Sequence, residues 1–344
     1  MKTTQMKMYK KLVGLSLACT GLLAVSLQAQ PNAPTAVQQV QNFQRNMEQQ
    51  QPLAGLRAGT NAPETYAGEN SDIGPQQILR LVPRRTYFEV KADSQYLYTD
   101  NAQLTQNNPT PATEFVNSIS AAFAPTAYKV GSGRFAPEVG YLSQWFNYGL
   151  GNHDLSFMDF NVQTVFAGAK YLLPNNWEFF GEFDYTRLLS QQNYEEFYHD
   201  FTPSFGVQRL FPIGDKGVVS ATLQADYHDS STVNPPNDSQ DRMDDTFNLS
   251  LSYQLAPHLV VQPYYRFQYT YYRFDSLHNS GRDDFLNSFG MMVAYNFRLI
   301  PGLALRGFVN YDVKNSDDIS PALGGAQRYH DYNIGADLSY TIRF

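Results

Sequence analysis

The chain closes on the stretch Asp331-Tyr-Asn-Ile-Gly-Ala-Asp-Leu-Ser-Tyr-Thr-Ile-Arg-Phe344. From Tyr332 to Phe344, apolar residues, including Ala336, occupy every even position, and polar residues or glycine occupy the odd ones. Such strict alternation predicts a β-strand with one apolar face and one polar face. Strands of globular proteins usually run about five or six residues. This one is long enough to cross a bilayer at a tilt.

The same alternation recurs along the chain from Thr86 onward. Short connections alternate with long polar ones around 100–113, 229–243, 274–282 and 313–328. Transmembrane barrels have this arrangement, with short periplasmic turns and longer outer loops. The sequence therefore predicts an all-β, transmembrane antiparallel up-and-down β-barrel of about 12 strands, with both termini on the periplasmic side; ten and fourteen strands are the alternatives. The predicted strands are 86–99, 114–124, 135–147, 156–172, 176–190, 196–210, 217–228, 244–255, 258–273, 283–298, 302–312 and 329–344.

A barrel is required because strand edges cannot face lipid. Water is absent there, so unpaired backbone N–H and C=O groups would be costly, and closure pairs them all. The apolar face then meets the acyl chains, and the polar face borders an enclosed lumen. Aromatic residues near strand ends fit an interfacial girdle. Those expected in it are Tyr265, Tyr269, Tyr271, Tyr272 and Phe274.

Composition narrows the class of protein further. A chain with 42% hydrophobic and 15% aromatic residues is too apolar to be disordered. A mean hydropathy of −0.42 argues against a bundle of membrane helices. The net charge of −7 argues against a nucleic-acid partner. The only cysteine, Cys19, lies in a segment expected to be removed, so we predict no disulfide, no metal site and no cofactor.

The first 29 residues resemble an export signal. Lysines up to Lys11 precede an uncharged stretch from Leu12 to Leu27, which predicts a secretory signal peptide cut after about Ala29. Lipidation at Cys19 and a retained membrane anchor are the alternatives. An exported barrel belongs in the outer membrane of a Gram-negative cell envelope, which is the predicted location.

Residues 30–85 form a Gln- and Pro-rich segment of different composition. Val37, Val40, Phe43 and Met47 recur at helical spacing, which predicts one short amphipathic helix within Val37–Gln51. The segment is expected to be a periplasmic tail. The alternatives are an element for homo-oligomer formation or for docking a periplasmic partner, and a segment that folds into the pore.

Strand parity also predicts which charged residues line the lumen. A basic ladder facing an acidic one would place a transverse field across a polar pathway and tune ion preference. The alternative is that these charges pair and fill the bore. The acidic candidates are Glu89, Asp93, Glu178, Glu182, Asp184, Asp226 and Asp337, and the basic ones are Lys91, Arg266, Arg298, Arg306 and Arg343.

Three local resemblances bear on family and function. Tyr96-Leu-Tyr-Thr-Asp-Asn101 is similar to the aromatic-Asp-Asn segment of the putative β-barrel porin family called porin 2, whose members are taken to be outer-membrane channels or export accessories. The terminal Phe344 looks like the signal that outer-membrane barrels present to their assembly machinery. His278-Asn-Ser280 faintly resembles the catalytic segment of outer-membrane phospholipase A, in inverted order.

These observations predict a porin-like channel for passive diffusion of ions or small polar solutes, and not an enzyme. One alternative is a non-conducting structural or export-accessory barrel, plugged by its own charges or by the N-terminal segment. A second is an outer-membrane lipid hydrolase. The expected partners are the bilayer, lipopolysaccharide and the barrel-assembly machinery.

Overall fold

The computed structural model describes residues 33, 36, 37, 87–106, 109–150, 153–233, 236–237, 241–273, 281–317 and 328–344. The predicted signal peptide and most of the 30–85 segment lie outside these ranges. Within the described part of the chain, no helix is long and apolar enough to cross a membrane.

In the part of the chain that the structure describes, twelve long strands and two short ones make up the sheet, and a 3-10 helix spans His153–Met158. The long strands are β1 (Phe88–Thr99), β2 (Ala112–Phe123), β4 (Gly133–Asn147), β5 (Phe160–Leu172), β6 (Trp177–Ser190), β7 (Glu196–Ile213), β8 (Gly217–Val233), β10 (Arg242–Ala256), β11 (Leu259–Tyr272), β12 (Arg282–Asn296), β13 (Leu303–Ser316) and β14 (Tyr329–Arg343). The short ones are β3 (Tyr128–Val130) and β9 (Pro236–Asn237).

The sheet closes on itself, as the sequence predicts. Each long strand pairs antiparallel with its sequence neighbours among the long strands, and β1 pairs with β14 to form the seam. β3 folds back on β4, and β9 extends the loop beyond β8. Most strand bounds agree with the predicted ones to within a few residues. One difference is that residues 156–158, predicted as strand, belong to the 3-10 helix.

The two ends of the barrel differ. At the terminal end, where β1 begins and β14 ends, the connections between long strands include tight turns at 173–176, 214–216 and 257–258. At the opposite end, called here the loop end, they include longer segments at 100–111 and 148–159. The chain therefore starts and finishes its barrel on the side of the short turns.

The side chains of the barrel wall are arranged in the opposite way to those of a water-soluble protein, with apolar side chains outside and polar ones inside. Outward side chains are apolar and exposed, with Leu338 at 47% and Phe205 at 61%. Inward side chains are polar and buried, with Asp337 and Asp244 at 1% and 0%. Exposing that much apolar surface is favourable only where hydrocarbon replaces water. The fold is thus a transmembrane antiparallel β-barrel.

Candidate functional site

The lumen is the candidate functional site, because it gathers the buried polar side chains of all the long strands. Except for Arg298, every predicted pore-lining residue lies on an inward-facing position of its strand. Their strands are β1 for Glu89, Lys91 and Asp93, β6 for Glu178, Glu182 and Asp184, β8 for Asp226, β11 for Arg266, β13 for Arg306, and β14 for Asp337 and Arg343.

Arg298 departs from the prediction. β12 ends at Asn296, and Arg298 is exposed in the turn that leads to β13. The turn is held by hydrogen bonds from the Phe297 amide to the Leu303 carbonyl and from the Leu303 amide to the Ile300 carbonyl. Apolar alternation continues past the end of the strand in the sequence, so parity alone extended the strand too far.

An ion-pair network crosses the seam in the middle of the lumen. The Arg306 guanidinium donates to Oδ2 of Asp337 at 3.0 Å and lies 3.8 Å from Oδ1 of Asp93. The ammonium of Lys91 lies 3.3 Å from Oδ2 of Asp93. The four side chains come from β13, β14 and β1, so each charge meets an opposite charge on its own or an adjacent strand.

Two other predicted basic residues, Arg343 and Arg266, also have polar partners close by. Nε of Arg343 donates to Oε2 of Glu89 at 2.6 Å across the seam, where both side chains are partly exposed. Arg266 donates to the side-chain oxygen of Gln268 at 2.6 Å. These contacts match the predicted alternative of paired charges better than a basic ladder facing an acidic one across the bore.

Sequence parity missed a second cluster, centred on His228 near the loop end. Its Nδ1 lies 2.6 Å from Oδ2 of Asp200, and its Nε2 lies 3.2 Å from Oδ2 of Asp244. Nε of Arg242 donates to the same Asp244 oxygen at 3.3 Å, and the Thr270 hydroxyl donates to the other at 2.6 Å. The cluster ties together β7, β8, β10 and β11. Asp200, His228, Asp244 and Thr270 all lie on inward positions within the predicted strands, so the alternation could have found them, and only Arg242 precedes the predicted start of its strand.

A third cluster surrounds Asp284 on β12. The Lys314 ammonium lies 2.7 Å from Oδ2 of Asp284, and the Arg282 guanidinium lies 3.2 Å from it. The guanidinium also stacks 3.7 Å from the centre of the Tyr272 ring. Tyr272 is therefore a buried lumen residue, and its predicted place in the interfacial girdle is wrong. Phe274 lies outside the described residues.

The opposite side of the loop-end lumen is apolar. Here the inward positions of β2 and β4–β7 carry an apolar patch, defined as Val116, Phe146, Phe160, Val162, Leu188 and Tyr198. The rings of Phe146 and Phe160 are stacked with centroids 4.5 Å apart. The patch is confined to the loop end, because farther along the same strands the inward positions carry charged side chains such as Lys170 on β5 and Glu182 on β6.

Residues of the N-terminal segment complete the apolar patch. Ala33, Ala36 and Val37 are helical, and Ala33 and Val37 are buried in one cluster with the patch residues, at 7% and 4% exposure. Because the patch faces the lumen, these two residues lie inside the barrel. The structure places helix before the predicted start at Val37, and Val40, Phe43 and Met47 lie outside the described residues.

The loop between β4 and β5 folds over the same patch. Leu155 of the 3-10 helix is buried in the cluster, and Met158 packs against it. Oδ1 of Asp159 accepts hydrogen bonds from the Tyr148 amide at 2.7 Å and the Gly149 amide at 3.0 Å, which fixes the bend. Burial raises the pKa of the Tyr148 phenol well above its usual range.

The segment Tyr96–Asn101, singled out in the sequence, fastens the seam at the loop end. Oδ1 of Asp100 accepts a hydrogen bond from the Tyr332 amide at 2.7 Å, and the Thr99 hydroxyl donates to Asp331 at 2.6 Å. The buried Asn101 amide donates to the carbonyls of Thr105 at 2.8 Å and His330 at 3.0 Å. The motif residues thus join the end of β1 to the start of β14.

The enzymatic alternative depended on residues that the structure does not describe. His278 and Ser280 lie outside the described ranges. In the described part of the chain, no three His, Cys, Asp or Glu side chains are grouped in a way that could hold a metal ion.

Comparison with known proteins gives structural matches only. No known family and no curated protein matches the sequence. The fold is similar to an outer-membrane channel from Pseudomonas putida F1, with 11% identity over 79% of this chain and 100% of that one and a TM-score of 0.47. It is also similar to the KdgM porin, with 12% identity over 72% and 97% of the two chains and a TM-score of 0.37.

The translocator domain of the autotransporter NalP from Neisseria meningitidis matches at a similar level, with 13% identity over 76% of this chain and 90% of that one and a TM-score of 0.39. The resemblance of Tyr96–Asn101 to the porin 2 family stays a prediction.

Proposed function

We propose that the protein is a porin-like channel of the outer membrane for ions or small polar solutes. The observation that supports this most directly is the inversion of the wall, with an apolar exterior and a buried, charged interior. Charged side chains inside a bilayer-spanning element are costly, and they usually mark a polar pathway. The charged part of the lumen wall, which includes β1, β6–β8 and β10–β14, is the wall along which we expect solutes to move.

The charge balance of the lumen favours cations. Inward carboxylates outnumber inward basic side chains, and a polar pathway with negative walls raises the local concentration of cations. The inward carboxylates are Glu89, Asp93, Glu114, Glu138, Glu178, Glu182, Asp184, Asp200, Asp226, Asp244, Asp284, Asp312, Asp331 and Asp337. The basic ones are Lys91, Arg134, Lys170, Arg242, Arg266, Arg282, Arg306, Lys314 and Arg343.

Conductance in a planar bilayer tests this function. Purified protein in a tenfold KCl gradient should give discrete current steps. Because the pore should prefer cations, the reversal potential should lie on the K⁺ side of zero, toward the equilibrium potential of K⁺. Asp226→Asn and Asp184→Asn together should move the reversal potential toward zero, while exchange of the exposed Asp215, in a turn outside the lumen, should leave it unchanged. A barrel that inserts but never conducts, in any variant, would contradict the proposal.

A non-conducting structural or export-accessory barrel is the second candidate. It is favoured by the paired lumen charges and by the burial of Ala33 and Val37 inside the loop end. Under this alternative, the folded barrel would give no current even after the N-terminal segment had been displaced. The bilayer experiment therefore separates the two candidates.

Assembly by the barrel machinery of the cell is part of the proposal. Phe344 lies next to the start of β1, where its amide donates to the Phe88 carbonyl at 2.9 Å. Phe344→Ala should lower the amount of folded protein in outer membranes. Because this substitution keeps the backbone hydrogen bonds to Tyr87 and Phe88, and the ring is 57% exposed, refolding in detergent should be nearly unchanged. Equal loss in both assays would point to a structural role for Phe344.

A further inference from the structure

We propose that Arg209, Trp177 and Phe211 form a binding site for the phosphate group of a membrane phospholipid, on the outer surface of the barrel. The site lies near the terminal end, which the sequence predicts to face the periplasm. It is separate from the lumen, so the inference goes beyond the proposed channel function and does not depend on conduction. Its starting point is a positive charge on the wall that faces lipid.

Basic side chains are rare on the outward face of the wall. Of the arginine and lysine residues in the twelve long strands that the structure describes, only Arg187 and Arg209 occupy outward positions. Arg209 shares the outward face of β7 with Phe205, which is 61% exposed, whereas Gln208 points into the lumen and is 8% exposed. A charged side chain on the lipid side is costly unless it reaches a polar partner.

The height of Arg209 in the wall matches the edge of the hydrocarbon layer. Toward the loop end, the next polar side chain on the outward face of β7 is His199. The outward residues between these two are Phe201, Pro203, Phe205 and Val207. Ten residues at about 3.3 Å each, tilted by about 40°, span about 25 Å along the barrel axis. The apolar band of a membrane barrel is about 25 Å tall, so Arg209 lies where the headgroups begin.

Two aromatic rings hold the guanidinium in place. Its Cζ atom lies 4.9 Å from the centre of the Trp177 ring and 4.7 Å from the centre of the Phe211 ring. Trp177 is the first residue of β6 and pairs with Arg209. The next residue, Leu210, donates its amide to the Asn176 carbonyl in the adjoining turn at 3.0 Å. Contact with the rings covers the faces of the guanidinium and leaves the N–H groups at its edge available.

Those N–H groups lack an acceptor within the described part of the chain. Arg209 forms no hydrogen bond or ion pair with the described residues, and its Nε is shielded from solvent. Leaving a shielded, charged donor unpaired is costly. A phosphate diester supplies oxygen acceptors and a negative charge in the geometry that the planar arginine fork fits. Phospholipids present this group at the level of Arg209, so they are the ligand that the site favours.

Native mass spectrometry tests the site. Purified protein in detergent is mixed with phosphatidylglycerol, and the bound lipid is counted. Arg209→Gln should lower the retained lipid at least about tenfold, because a charge-assisted contact is lost. Arg187→Gln is the matched control, since Arg187 faces outward at the loop end and donates to Gln163 at 2.8 Å, and its retention should equal that of wild type. Wild-type retention in Arg209→Gln, or equal losses in both variants, would overturn the site.

Two more variants separate a shaped site from simple charge attraction. Arg209→Lys keeps the charge but loses the planar fork, so retention should still fall by about fivefold. Phe211→Leu removes one ring and keeps the charge, and should lower retention by about two- to fivefold. Wild-type retention in either variant would overturn the role of the fork and the rings. Heat modifiability on gels confirms that each barrel is folded.

The choice of ligand separates a lipid from a free anion. Diacylglycerol, which has the acyl chains but no phosphate, should be retained no better than phosphatidylglycerol is by Arg209→Gln, and stronger retention would overturn phosphate recognition. Millimolar inorganic phosphate should not displace the lipid, because it has no acyl chains to pack on the apolar wall. Complete displacement would overturn the assignment to a lipid. Phosphatidylglycerol should also raise the Tm of wild type more than that of Arg209→Gln, and equal shifts would overturn the site.

Discussion

Replacement of Asn101 tests whether the Tyr96–Asn101 segment closes the barrel. The Asn101 side chain is 1% exposed and makes three hydrogen bonds: its amide donates to the carbonyls of Thr105 and His330, and its oxygen accepts from the Thr105 amide at 3.0 Å. Each such bond contributes about 0.5–1.5 kcal/mol net, and buried partners left unpaired add to the loss. Asn101→Ala should therefore lower the free energy of unfolding by about 2–4 kcal/mol.

The measurement is equilibrium unfolding of the refolded barrel in urea, followed by fluorescence of Trp145 and Trp177, the chain's two tryptophans. The control is Asn193→Ala at the loop end. Asn193 is exposed and bonds only within its own turn, to Glu195, so its loss should cost less than about 0.5 kcal/mol. If Asn101→Ala were as stable as this control, the segment would not be fastening the seam.

Three further predictions concern the wall. Arg306→Met should lower the free energy of unfolding in urea by about 3–5 kcal/mol, because it leaves the nearly inaccessible Asp337 carboxylate without its partner. Adding Asp337→Asn should restore most of that free energy, and no recovery would contradict the pairing. Gly302→Ala should destabilise the barrel more than Gly214→Ala: both have positive φ, but a Cβ at Gly302 would collide with the Thr341 carbonyl, whereas that at Gly214 meets open space. Equal losses in thermal unfolding would refute that reasoning. Leu338→Arg, on the outward face, should lower the free energy of unfolding from lipid vesicles by about 2–4 kcal/mol. An unchanged free energy of unfolding would contradict lipid contact at this position.

Much of the fold could be predicted from local pattern alone. Side chains of a strand point alternately to its two faces, so the even positions up to Phe344 and the odd positions up to Arg343 had to lie on opposite faces of the sheet. A sheet with free edges would leave backbone N–H and C=O groups unpaired in lipid, so the sheet had to close. Because side chains alternate between the two faces, parity alone assigned Asp93, Arg306 and Asp337 to the inner wall, without any knowledge of the neighbouring strands.

The partner of each lumen side chain was beyond such reasoning. Which carboxylate meets Arg306, and that His228 lies between Asp200 and Asp244, depends on the register between neighbouring strands, which parity within one strand does not fix. The turn that carries Arg298 out of the wall depends on where hydrogen bonding with β13 stops. The burial of Val37 in one cluster with Leu188 is the strongest case. A short apolar periodicity shows that a helix needs a surface to cover, but the surface exists only after closure brings the inner faces of β2 and β4–β7 together.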